Sequence, residues 1–326
     1  MKYAIISDIH GNLPALSAVL KDAKEAGVGG YLFLGDYYMC SPYPNEIIEA
    51  IRNLPSAHVI RGNEEDYLKR LDGQDQRTWT DGQFKGLYWC YQTISRENHE
   101  YLAALPGLMR ISGEKADIFA AHSSGTFLGD VEFRDFSSSK ISERYENKQV
   151  PRQMLLQDIR THLNKNAVFH DKLKTLPDGI YVFGHTHVQW HARFEGKLFI
   201  NPGSCGLPLD GDNAAAYTIL DEVEDLSVLE RRVPYDVEAF AGNIKNSPLY
   251  CEAAVWCDLV ARERLTAFEH VEFFLRFVEA YAKETGDHNR PYSVETWSGA
   301  YEAFCGRLMN QPAYLVTDFK DAYIMR

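Results

Sequence analysis

The chain has 326 residues with 46 acidic and 34 basic side chains, a formal net charge of −12, and 45% hydrophobic and 25% charged residues. That composition excludes global disorder, and at roughly 150 residues per domain the length allows two domains or one large α/β domain with an appendage. The acidic balance excludes a general electrostatic grip on nucleic acid, and no run approaches the roughly 18 apolar residues of a membrane span.

The first third alternates strand and helix. Tyr3 to Ser7 is an apolar run of strand length, Asn12 is placed to cap a helix, and Pro14 sits in its first turn. Leu16, Val19, Leu20 and Ala23 form the helical stripe that Gly27 ends. A second strand is expected over Tyr31 to Leu34, a second helix from Pro44 through Ile51, a third strand over His58 to Arg61, and another helix from about Glu64. Strands separated by helices of this length predict a parallel sheet with crossover connections.

The middle is less regular. Gly82 to Ser95 and Glu97 to Leu105 read as helices broken by Pro106-Gly107, and Ile111 pairs with a strand over Asp117 to Ala121. Residues 126–178 are polar, with one predicted helix from Pro151 to Leu163, and the expectation for them is a lid or insertion over a site. From Ile180 short strands follow: Ile180 to Phe183, Gln189 to Phe194, Leu198 to Asn201, Ala215 to Leu220 and Leu226 to Val233. The last segment is helical, with an apolar stripe of Phe268, Val271, Phe274, Leu275, Val278, Tyr281 and Ala282 ending near Gly286. Such a stripe must be buried, either within the chain or in a homodimer through these helices.

Polar motifs stand at the ends of the predicted strands. They are Asp8-Ile9-His10, Gly35-Asp36, Gly62-Asn63, the lone His122 and Gly184-His185-Thr186-His187. If the chain runs extended there, residues i and i+2 share a face, so Asp8 with His10 and His185 with His187 would each point one way. In an open parallel sheet, catalytic groups gather at the carboxyl ends of strands. Carboxylate, amide and imidazole together suit Mn, Fe, Zn or Ni, and the lack of thiolate argues against structural zinc. Seven candidate ligands exceed the needs of one ion and fit two ions sharing a carboxylate, a pair usually about 3.5–4 Å apart in phosphoryl chemistry.

In this order the motifs resemble the calcineurin-like metallophosphoesterase superfamily. Ser41-Pro42-Tyr43-Pro44-Asn45-Glu46 and Asn201-Pro202-Gly203-Ser204-Cys205-Gly206-Leu207-Pro208 are similar to its small prokaryotic phosphodiesterase branch. The resemblance implies a four-layer α/β/β/α sandwich, with residues 1–240 as the catalytic domain and 241–326 as a helical extension packed on or beside it. It also implies one metal held by Asp8, His10, Asp36 and His187, and another held by Asp36, Asn63, His122 and His185. Asp36 would bridge, and a hydroxide shared by the ions would attack phosphorus in line with the leaving oxygen.

One position departs from that pattern. Many members follow the asparagine with a histidine that serves the leaving group, and here Glu64 follows Asn63. Glu64 and Glu65 are expected to sit in the first turn of a helix and complement its dipole. Lacking that general acid, the site suits phosphodiesters or activated esters better than alkyl monoesters.

Outside the motifs, Ser123, Ser124 and Tyr37 are weighed as pocket-lining groups against ordinary loop polarity, and Arg61 is expected to form a salt bridge at a strand end. His191 is expected to be a neighbour of the site or solvent-facing. The remaining histidines are taken as structural or exposed. The six cysteines (Cys40, Cys90, Cys205, Cys251, Cys257 and Cys305) contain no Cys-x-x-Cys pair, which favours free thiols in a reducing cytoplasm. Asp8 and His10 interrupt the apolar N-terminal run before it reaches the length of a signal core.

The expectation is therefore a cytoplasmic phosphoesterase with two divalent ions, acting on a phosphate-ester substrate and binding neither membrane nor nucleic acid in general. The alternatives are a phosphomonoesterase or Ser/Thr protein phosphatase on the same site, and a scaffold that keeps the fold without the chemistry.

Overall fold

A computed structural model describes residues 1–39, 41–129, 136–144 and 150–310. Cys40, two pieces of the expected lid (130–135 and 145–149) and the end of the helical extension (311–326) lie outside the described residues.

Two five-stranded sheets face each other. The first takes β1 (Lys2–Ile6), β2 (Gly30–Phe33), β3 (Ala57–Val59), β9 (Ala215–Asp221) and β10 (Ser227–Val233) in the order β10-β9-β1-β2-β3. The second takes β4 (Leu108–Ser112), β5 (Asp117–Ala121), β6 (Ile180–Val182), β7 (Gln189–Phe194) and β8 (Lys197–Pro202) in the order β4-β5-β6-β8-β7. Strands β1, β2 and β3 run parallel, as do β5, β6 and β8; antiparallel strands flank each set.

The period-two alternation of strand side chains builds the layers. Ile5, Leu32, Ile180, Val182, Leu198 and Ile200 point between the sheets and form a shared core. Their neighbours Ala4, Ile6 and Phe33 point the other way, against the helices α1 (Leu13–Glu25) and α2 (Pro44–Arg52). Helix α1 starts where expected: the Asn12 side chain accepts from Ala15 N at 3.1 Å, and Leu16, Val19 and Ala23 are buried. On this flank also lie α3 (Asn63–Arg70), α4 (Lys85–Thr93) and α5 (Arg96–Ala104).

In its described part the stretch 126–178, expected as a lid or insertion, is a packed helical layer. That stretch contains α6 (Gly125–Leu128), α7 (Ser138–Arg144), α8 (Arg152–Lys165) and α9 (Ala167–Leu173). Leu155, Ile159, Leu163, Phe169 and Leu173 pack on Tyr181, Phe183 and Phe199, the outer face of the second sheet. These helices form the fourth layer, because Leu155, Ile159 and Leu163 are an i, i+4, i+8 stripe within an otherwise polar sequence.

Beyond β10 come α10 (Val237–Lys245), α11 (Pro248–Thr266), α12 (Val271–Thr285) and α13 (Val294–Asn310). The buried face of α12 is covered within the chain, where Phe273, Phe274, Phe277 and Val278 pack with Leu259, Trp297, Ala300 and Phe304, while Val271, Leu275 and Tyr281 of the expected stripe are only partly buried. Complete burial of a phenylalanine such as Phe274 stabilises by about 1.5–3 kcal/mol. Helices α10 and α11 reach the sandwich layers, with Phe240 stacked on Tyr43 and Trp256 Nε1 donating to the Gln83 carbonyl. Among the described residues no helix is long and apolar enough to cross a membrane.

Candidate metal centre

The turns after β1, β2, β3, β5 and β6 meet at one end of the sandwich. Asp8 and Asp36 are nearly inaccessible to solvent, at 0% and 2% exposure. Two groups of potential ligand atoms form there, Asp8 with His10 and His187, and Asp36 with His122 and His185. Asp36 also lies with His10 and Glu64, so it stands between the two groups. Among the described residues no cysteine joins these groups.

The local geometry differs from the extended chain that the spacing suggested. Asp8, His10, Asp36, His185 and His187 all have positive φ, from 46° to 72°. Left-handed backbone in a non-glycine residue costs of order 1–3 kcal/mol and persists only where the surroundings enforce it. As a result His185 and His187 do not share a face, and each turns to a different group. Hydrogen bonds hold these turns: Ile9 N and His10 N donate to the Asp36 carbonyl at 2.8 and 3.0 Å, and Ser204 Oγ donates to the Asp8 carbonyl at 2.6 Å. His185 N donates to both Asp8 oxygens, at 3.2 and 3.1 Å.

The imidazoles are oriented from behind. His187 Nδ1 donates to the Leu207 carbonyl and His122 Nδ1 to the Leu34 carbonyl, both at 2.7 Å. A carbonyl can only accept, so each of these rings carries its proton on Nδ1 and turns Nε2 inward. His10 Nδ1 lies 2.7 Å from Glu64 Oε1, which fixes the same tautomer. Facing inward, His10 Nε2 and His187 Nε2 are 3.1 Å apart, and His187 Nε2 is 3.3 Å from Asp8 Oδ1. His122 Nε2 lies 3.0 Å from Asn63 Oδ1 and 3.3 Å from Asp36 Oδ2.

Two inward lone pairs at that separation repel. Protonating both rings would set two charges against each other at a cost of about 5 kcal/mol with an effective dielectric constant of about 20. The pair accepts one positive centre. The surrounding field agrees: burial alone would lower the His10 imidazole, but Glu64, Asp36 and Asp8 outweigh it and raise it to about 9. Burial likewise opposes the charge on His122, and Asp36 foremost raises it to about 10. Burial and then the neighbouring His122 push His185 down to about 4.

Glu64 corrects the expectation of a residue serving only the helix dipole. It does stand in the first turn of α3, yet it is buried; its Oε2 accepts from Met39 N at 3.0 Å, and its amide donates to Asp36 Oδ1 at 2.9 Å. Glu65 accepts from Gly62 N, Asp36 N and Tyr37 N at 2.7, 3.0 and 3.1 Å, tying three backbone amides of the centre together. The sequence signal for both was weak, since acidic residues in a first helical turn are ordinary.

The other weighed residues lie in supporting positions. Tyr37 is fully buried and its hydroxyl donates to the Ile60 carbonyl at 2.5 Å, so it lines no pocket. Arg61 pairs with Asp66 at 2.9 Å, and His191 with Glu230 at 2.8 Å. Ser124 is buried, and Ser123 Oγ accepts from Gly125 N at 3.3 Å. Cys205 is buried and its thiol is pushed upward, first by burial and then by Asp8, which suits a packing residue. Cys251, Cys257 and Cys305 are also free thiols.

Comparison with known proteins adds the following. The family model for the calcineurin-like phosphoesterase superfamily domain matches residues 1–225. An uncharacterised protein of Methanocaldococcus jannaschii is 29% identical over 260 residues, covering 74% of this chain and 92% of that one. A hypothetical protein from Pyrococcus horikoshii shares the fold with a TM-score of 0.57 at 23% identity, over 79% of this chain and 97% of that one. A metallophosphoesterase from Sphaerobacter thermophilus does so with a TM-score of 0.54 at 24% identity, over 78% and 98%.

Proposed function

The chain belongs to the calcineurin-like phosphoesterase superfamily, and from that premise we propose that it hydrolyses phosphate esters, phosphodiesters foremost, with two divalent metal ions. One observation carries the reading: the inward Nε2 atoms of His10, His122 and His187 converge with the oxygens of Asp8, Asp36 and Asn63. Every one of these groups offers a lone pair to the same small volume, and such a set is complementary to cations.

The donor chemistry fits the ions. Oxygen and imidazole nitrogen without thiolate suit Mn, Fe, Ni or Zn. Asp8, His10 and His187 would hold one ion, Asn63, His122 and His185 the other, with Asp36 shared. Bound there, the pair would lower the pKa of a water molecule and offset charge growing on the phosphoryl oxygens.

The chain's own residues set the rest. Glu64 and the Leu207 and Leu34 carbonyls hold a proton on each Nδ1 and aim each Nε2 inward, where a bound cation would take the place of a second proton. Asn63 and His185 retain partial exposure while Asp8 and Asp36 are buried, so substrate would approach from the Asn63 and His185 side. Glu64, engaged by His10 and Met39 N, is not free to donate a proton to a leaving group. That supports a preference for esters whose leaving group needs little protonation.

The test is hydrolysis of an aryl phosphodiester against the matching monoester with added Mn²⁺. Faster turnover of the diester is expected. Far faster turnover of the monoester would overturn the diester preference, and no turnover of either would overturn the hydrolase reading.

A further inference from the structure

The helices beyond the family-matched residues place one side chain behind the metal centre. Arg264, near the end of α11, has 0% exposure, a rare state for a guanidinium. Its Nη2 donates to the His10 carbonyl at 2.7 Å and its Nε to the Gly206 carbonyl at 3.3 Å, while the guanidinium carbon lies 5.1 Å from the centre of the Phe240 ring. Burying this charge is costly unless its bonds return the lost hydration, and an apolar side chain would fill the space without that cost.

Both acceptors belong to turns that orient ligands of the same group. His10 is itself in that group and has a left-handed backbone, with φ of 46°. Gly206 precedes Leu207, whose carbonyl fixes His187, and Gly206 N donates to the Asp8 carbonyl at 3.1 Å. Asn12 Nδ2 donates to the same Gly206 carbonyl at 2.9 Å, so the two turns are cross-linked. One guanidinium thus pins the turn carrying Asp8 and His10 to the turn that aims His187.

We propose that Arg264 is a positioning residue for the Asp8, His10 and His187 half of the centre, so that the C-terminal helices set the affinity of one metal position. This inference rests on the proposed function. The other position, built on Asp36, Asn63, His122 and His185, takes its side chains from the turns after β2, β3, β5 and β6.

The experiment titrates Mn²⁺ into metal-free full-length protein by calorimetry, and follows Co²⁺ by its visible absorption, for wild type, R264K and R264M. Removing a residue that orients metal ligands typically costs about 10–100-fold in affinity. The expected result in R264M is one dissociation constant weakened by that factor and the other unchanged, with loss of part of the cobalt spectrum. R264K should fall between, because a single ammonium replaces a two-pronged donor. Far-UV circular dichroism reports folding, and if R264M does not fold, the two constants of R264K decide. Two constants unchanged, or both weakened alike in a folded variant, would overturn the inference alone. A wild-type protein that takes up no divalent ion would overturn the proposed function and this inference with it.

Discussion

His10 and His187 bring their Nε2 atoms within 3.1 Å of each other, although 177 residues separate them in the sequence. Each ring is held from behind by an acceptor, the Glu64 carboxylate for His10 and the Leu207 carbonyl for His187. The nitrogens meet because their supports leave no other orientation. The groups behind the rings therefore matter nearly as much as the rings.

Glu64→Gln tests that claim. The amide must face either the His10 Nδ1 proton or the Met39 N–H with its own donor, so one of the two hydrogen bonds fails. Metal affinity should fall about 10–100-fold while the fold is retained. The readout is the Mn²⁺ concentration giving half-maximal aryl-ester hydrolysis; a value equal to wild type would remove Glu64 from this role.

Gly206→Ala probes the close contact of two turns. An added Cβ would lie 1.7 Å from the Ile9 carbonyl oxygen and 2.7 Å from Asn12 Cβ, and backbone would have to move. Overpacking of this kind costs typically about 1–3 kcal/mol. The midpoint of urea unfolding should drop accordingly, and an unshifted midpoint would contradict the packing described.

The sequence made the strand-end groups legible: Asp8, Asp36, Asn63, His122 and His185 each follow a strand whose apolar run is plain. It concealed how they are aimed. Positive φ at five ligand candidates comes from bonds between turns remote in the chain, such as His10 N to the Asp36 carbonyl. Extended-strand reasoning therefore put His185 and His187 on one face when they diverge. Glu64 looked like a helix-dipole residue because its partner, His10, lies 54 positions away. Arg264 was hidden for the same reason, 254 residues from the carbonyl it holds. The packing of the outer helices on the second sheet was hard to read because a narrow apolar stripe was diluted by polar neighbours.

The C-terminal helices predict a pH dependence of stability. Burial, and then the Arg262 charge, hold the His270 imidazole down at about 3, against 6.5 unperturbed. The folded state resists a proton that the unfolded chain accepts. The stability linked to His270 is thus complete above about pH 6.5 and lost as pH falls toward 3, with a slope of at most about 1.4 kcal/mol per pH unit. Glu263 and Glu269, raised first by burial, titrate nearby with the opposite sign, so the comparison is with His270→Gln, which retains both. Urea unfolding at several pH values should show the variant losing less stability than wild type between pH 6.5 and the acid limit. Parallel curves would refute the assignment.

The central claim is that these buried acceptors converge on cations. Its most direct test is elemental analysis of the folded protein after equilibration with Mn²⁺ and removal of free ion, beside Asp36→Asn. The account predicts about two ions per wild-type chain, the number in paired-metal phosphoesterase centres, and fewer in the variant. A folded wild-type protein that retains no divalent metal would contradict it.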